Sequence, residues 1–119
     1  MPADPGMIRS LVQDFIRLYP DEAARMLERL PAEEAAGVLE RQDPVAAAEL
    51  LRRMPGDPAA ETLAAVREAA VPLIVAALEP VTAAALLSRL DEEARQRRLA
   101  LLGPALAKEV TDLMAYPPD

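Results

Sequence analysis

Cysteine, histidine and tryptophan are absent from this chain of 119 residues, lysine occurs once, at Lys108, and aromatic residues make up only 3%. Without cysteine there is no disulfide framework, and without cysteine or histidine there is no thiolate or imidazole to hold zinc or move protons near neutral pH. Any metal must therefore be bound through oxygen. The two serines, Ser10 and Ser88, have no histidine to activate them, and the four glycines form neither a phosphate-cradling loop nor a nucleophile turn. Carboxylate pairs of the glycosidase kind work in clefts with aromatic platforms, and the aromatics here are Phe15, Tyr19 and Tyr116. The expectation is a protein that is not an enzyme.

Basic residues are also scarce: 13 against 20 acids give a net charge of −7, which opposes binding to a phosphate backbone, so no nucleic-acid partner is expected. The longest apolar run, Ala69 to Leu78, contains Pro72 and is about half of the roughly 20 residues that cross a bilayer. Arg9 and Asp14 interrupt the first apolar stretch, so no signal-peptide core is present and the chain reads as cytoplasmic.

What the chain does have is alanine, with 25 residues, and 12 prolines. Sparse β-branched residues and no sustained alternation favour helices over strands, and the fold class is all-α. Pro20, Pro31, Pro44 and Pro55 recur every 11 to 13 residues and Pro80 and Pro104 follow at wider steps. Proline is tolerated in a first helical turn, where its missing N–H has no intrahelical partner anyway, so these prolines mark helix starts. Asp43 before Pro44 and Asp57 before Pro58 are placed to cap helices through their side-chain oxygens.

A step of 12 residues puts Leu27, Leu39, Leu51, Leu63, Val75, Leu87, Leu99 and Thr111 in one column. Four residues earlier stand Ala23, Ala35, Ala47, Ala59, Val71, Ala83, Arg95 and Ala107, and three later Leu30, Gln42, Met54, Val66, Leu78, Leu90, Leu102 and Met114. Spacings of four and three share a helical face. Charges such as Glu22, Arg25 and Arg29 fall opposite it. Helices this short are not stable alone in water. They must stack, and the expected object is a superhelical, solenoid-like array of about eight to ten short helices over residues 19–114. Residues 1–18 form an amphipathic helix capping the array, and 115–119 a linker toward a following domain. Pro72 should kink or break its unit, at a cost of about 3 kcal/mol were the helix continuous. Arg95 and Gln96 should make the next-to-last helix slip in register or expose more surface.

Acids cluster at the expected helix N-termini: Asp21 with Glu22, Glu33 with Glu34, and Asp91 with Glu92 and Glu93. The helix dipole accounts for such placement, at about 0.3 to 1 kcal/mol each. The same carboxylates also offer a weak site for a hard divalent cation that a second surface would complete.

The strings YPDEAARMLERL, LPAEEAAGVLERQ and DPVAAAELLRRM, with VTDLMAYPPD at the end, resemble the cytosolic N-terminal domain of MgtE-type magnesium transporters. The resemblance runs from about Leu18 to Asp119 and implies a superhelix of short helices leading, through an aromatic-Pro-acid turn, into CBS domains of the same polypeptide. It implies a regulatory domain that senses intracellular Mg²⁺ with those CBS domains and gates the pore, in a protein that forms a homodimer and meets the membrane only through its C-terminal part. The segment that often reads Leu-Asp-Pro-Asp-Asp in relatives is here Leu78-Glu79-Pro80-Val81-Thr82. Two customary acids are missing. Either Glu79, Asp91, Glu92 and Glu93 substitute as Mg²⁺ ligands, in a site shared with the partner domain, or this homologue no longer senses Mg²⁺. The alternative function is a helical-repeat scaffold for protein interaction, as a CBS-linked adaptor or a module of the flagellar motor-switch type. The Glu-His-Pro-Gln motif of the latter needs a histidine that this chain lacks.

Overall fold

Prolines do set the helix starts. The computed structural model describes residues 5–115, in which nine helices follow one another: α1 Pro5–Leu18, α2 Pro20–Glu28, α3 Ala32–Glu40, α4 Pro44–Arg53, α5 Gly56–Ala65, α6 Val71–Ala77, α7 Pro80–Ser88, α8 Glu92–Leu99 and α9 Pro104–Met114. The expected linker at Tyr116–Asp119 lies outside the described residues. Proline occupies the first turn of α2, α4, α6, α7 and α9, while Pro31 and Pro55 hold the extended position just before α3 and α5. Asp43 caps α4, its Oδ1 accepting from the Ala46 amide at 2.9 Å. Asp57 does not cap. Pro55 turns the chain earlier, so α5 begins at Gly56, Asp57 falls inside its first turn and the Asp57 carboxylate meets Arg89 at 2.7 Å instead. Gly56 leaves room for that contact, since a Cβ there would fall on the Arg89 guanidinium.

Every unit from α2 to α8 ends in the same way. The carbonyl of the leucine-column residue accepts from the amide three residues on: Leu27 from Leu30, Leu39 from Gln42, Leu51 from Met54, Leu63 from Val66, Val75 from Leu78, Leu87 from Leu90 and Leu99 from Leu102. A tightened last turn of this kind satisfies terminal carbonyls without a left-handed residue. Among the described residues no backbone φ is positive, glycines included.

From α2 to α7 and on to α9 the helices pack chiefly on alternate neighbours, whereas α8 leans on α7 and joins neither row. α2 lies on α4 and α4 on α6, while α3 lies on α5, α5 on α7 and α7 on α9. The result is two rows in a body of 54 × 28 × 22 Å. Alanines of the first column are buried from Ala23 to Ala83, and so are their neighbours Ala24, Ala36, Ala48, Ala60 and Ala84. These paired small residues let backbones approach, and the leucines, with Leu39, Leu51, Leu63 and Leu87 fully enclosed, fill what remains.

The irregular units differ as their sequences imply. Pro72 shortens α6 to seven residues, and the chain before it makes a turn over 67–70 in which the Glu40 carboxylate accepts from the Arg67 amide at 2.7 Å. α8 buries only Leu99. In α9 the inward position has moved back by one residue: Val110 is fully buried and Thr111, the polar member of the column, faces solvent.

Gly37 sits in the middle of α3, and nothing lies within 4 Å of where its Cβ would be. Gly37→Ala is therefore expected to raise stability by about 0.5–1 kcal/mol, through the entropy the unfolded chain no longer has to lose. An upward shift of the urea midpoint at unchanged slope would show it.

Candidate acidic surface

The four acids singled out in the sequence lie at two helix starts. Glu79 precedes Pro80 at the start of α7, exposed, with its backbone extended and its side chain making no cap bond. Asp91 starts α8, and its Oδ1 accepts from the Ala94 amide at 2.8 Å. Glu92 and Glu93 occupy the first turn beyond it, some 80% and 84% exposed, with Arg95 and Arg97 at 3.8 and 3.7 Å. Asp91, Glu92 and Glu93 thus share one helix start. Glu79 stands at the opposite end of α7, about 13 Å of helix away at 1.5 Å per residue. Among the described residues no three acidic side chains come together in a way that could hold a metal ion. What the surface offers is solvated carboxylate oxygens in ones and twos, the number that a strongly hydrated Mg²⁺ takes from any one protein surface.

Two acids elsewhere, Asp21 and Asp57, help to hold the rows. Asp21 at the start of α2 meets Arg53 at the end of α4 at 2.6 Å, and Asp57 at the start of α5 meets Arg89, just after α7, at 2.7 Å. Both pairs span 32 residues, and one is the other displaced by 36 residues, or three units. Each ties a helix start to the end of the helix stacked on it. The common spacing was present in the sequence, but only the two-row packing gives it meaning.

Glu49 is held by two cations, Arg52 at 2.7 Å and Arg53 at 2.9 Å. The Arg52 hydrogen bond, with Coulombic help from both arginines, lowers the Glu49 pKa below its ordinary value against a smaller opposing effect of burial. Arg53 is pushed up, chiefly by its hydrogen bond to Asp21. A depressed carboxylate pKa stabilises the fold above the unfolded-state value, and the contribution is lost as pH falls through the folded-state value. Solvent screening of this half-exposed carboxylate keeps the contribution small. Glu49→Gln should accordingly lower the urea midpoint at pH 7, and the gap to the parent protein should narrow as the pH falls through the depressed folded-state value of Glu49.

No helix among the described residues is long and apolar enough to cross a membrane. A family model described as the MgtE intracellular N domain matches residues 18–119. No curated protein matches the chain.

Proposed function

The chain belongs to the MgtE intracellular N domain family, and from that premise we propose that it is the cytosolic regulatory domain of a magnesium transporter, which senses intracellular Mg²⁺ together with adjoining CBS domains and gates the pore. The observation that carries the reading is the extent of the match, which takes in eight of the nine described helices, α2 to α9. The net charge of −7 and the acids exposed at the starts of α7 and α8 are consistent with it. Glu79, Asp91, Glu92 and Glu93 would each give one or two oxygens to hydrated cations, and carboxylates of the CBS domains would complete the coordination. Bound cations would hold the two surfaces together by cancelling their mutual repulsion. With the cations gone the acids repel, and the domain swings away.

A cation shifts such an equilibrium only by its differential affinity for the two states; turning 1:99 into 99:1 takes a preference of about 10⁴-fold. Two or three cations, each bound about 20- to 100-fold more tightly in the closed state, would together suffice. The test uses the polypeptide that carries this domain with its CBS domains. Millimolar Mg²⁺ is expected to slow proteolysis between them and to reduce the radius of gyration, and the combination Glu79→Gln with Asp91→Asn, Glu92→Gln and Glu93→Gln to raise the Mg²⁺ concentration required. If neither protease sensitivity nor compactness responds to Mg²⁺, the sensing role fails.

A further inference from the structure

A cleft of about 550 Å³ lies between α1 and the C-terminal end of α3, lined by Ile8, Arg9, Val12 and Gln13 on one side and by Arg41 and Gln42 on the other. Among the described residues no acid lines it, in a chain with 20 acids against 13 bases. The carboxylates nearest in sequence are engaged elsewhere: Asp14 with Arg17 at 3.1 Å, Glu40 with the Arg67 amide at 2.7 Å and Asp43 with the Ala46 amide at 2.9 Å. Unlike Arg17 of the same helix, Arg9 forms no ion pair among the described residues, and neither does Arg41. The carbonyls at a helix C-terminus repel an anion. Here two of them are covered. Gln42 Nε2 donates to the Val38 carbonyl at 3.1 Å, and Gln13 Nε2, reaching across the cleft, donates to the Arg41 carbonyl at 3.4 Å.

We infer that this cleft binds a small organic phosphate, with Arg9 and Arg41 holding the phosphate group and Ile8 and Val12 its apolar part. Two guanidiniums match the charge of a phosphate monoester near neutral pH, and each offers paired N–H donors to its oxygens. Ile8 and Val12, exposed by 47% and 42%, supply a wall that a purely inorganic anion would leave in water. The net charge of −7 repels long polyanions and anionic surfaces, so a compact ligand met at short range is favoured. The inference is independent of Mg²⁺ sensing. Helix α1 lies outside the residues 18–119 that the family model matches, and none of Glu79, Asp91, Glu92 and Glu93 lines the cleft.

The test titrates phenyl phosphate into the isotope-labelled 119-residue chain, without Mg²⁺, and follows its amide resonances. Saturable shifts confined to α1 and the end of α3 are expected, with a dissociation constant on the order of a millimolar. Inorganic phosphate should bind less tightly, and added NaCl should weaken both. Arg9→Gln and Arg41→Gln should each weaken phenyl phosphate about tenfold at unchanged far-ultraviolet circular dichroism. Arg29→Gln, which removes the same charge from an exposed position outside the cleft, should change nothing. The absence of saturable shifts overturns the inference. So does equal affinity for inorganic phosphate, a response unaltered by Arg9→Gln and Arg41→Gln, or one weakened as much by Arg29→Gln.

Discussion

Leu63→Ala is expected to cost about 2–5 kcal/mol, the range for emptying a leucine-sized volume in a core that cannot collapse around it. Leu63 has no solvent exposure, and its helix, α5, is held between α3 and α7. α7 cannot move in without leaving α9, nor α3 without leaving α4. For a domain of this size, whose total stability is of the order of 5–15 kcal/mol, such a loss is a large share. Stacked arrays owe their stability to each unit plus its interfaces with its neighbours, so a central defect also weakens cooperativity. The expected record is a lower urea midpoint with a broadened or two-step transition, read by circular dichroism and by amide exchange. The same change at Leu99, in the thinly packed α8, should cost visibly less.

Ala47→Leu tests the opposite fault. Ala47 is fully buried in α4, between α2 and α6, where the short side chain allows the close approach of helix backbones. Extra methylenes there must push a helix out or take up a strained rotamer, at about 1–3 kcal/mol or more. Leucine is about as good a helix former as alanine, so propensity cannot explain a loss. A fall in the midpoint of thermal unfolding, absent for the same substitution at exposed Ala76, would locate the cause in the row contact.

These two positions also show how much of the fold is legible in the sequence. The columns four residues apart, headed by Ala23 and Leu27, name the buried face of almost every helix, because a short helix has only one way to bury four apolar residues. At the polar end of the leucine column Thr111 faces solvent and Val110 is buried instead, a one-residue shift that the column does not foretell. Pro72 announced the shortened α6. Two further things were not legible. Asp57 has the sequence of a cap, but Pro55 had already started the helix, and two prolines three residues apart offer two starts between which local preference cannot choose. The pairing of alternate helices is a property of three-dimensional stacking, and a 12-residue period is the same whether units stack singly or in two rows.

The candidate site was legible only as composition. Helix starts placed Asp91, Glu92 and Glu93 together and Glu79 apart from them, as the chain order requires. Exposed carboxylates have no packing constraint that would make the sequence specify a ligand geometry. The amphipathic pattern of α1 is legible as well, although Ile16 is the one residue of that helix that is buried.

The alternation of helices between rows has a consequence for how such an array can grow. Duplicating two adjacent units, for instance residues 31–54, returns the chain to the row it left and keeps α5, α6, α7 and α9 on their own sides. Inserting a single unit would carry all of them across, turning outward what had been presented on the other flank. Length in this architecture can change freely in even steps, while an odd step alters handed presentation and so whatever that flank must meet.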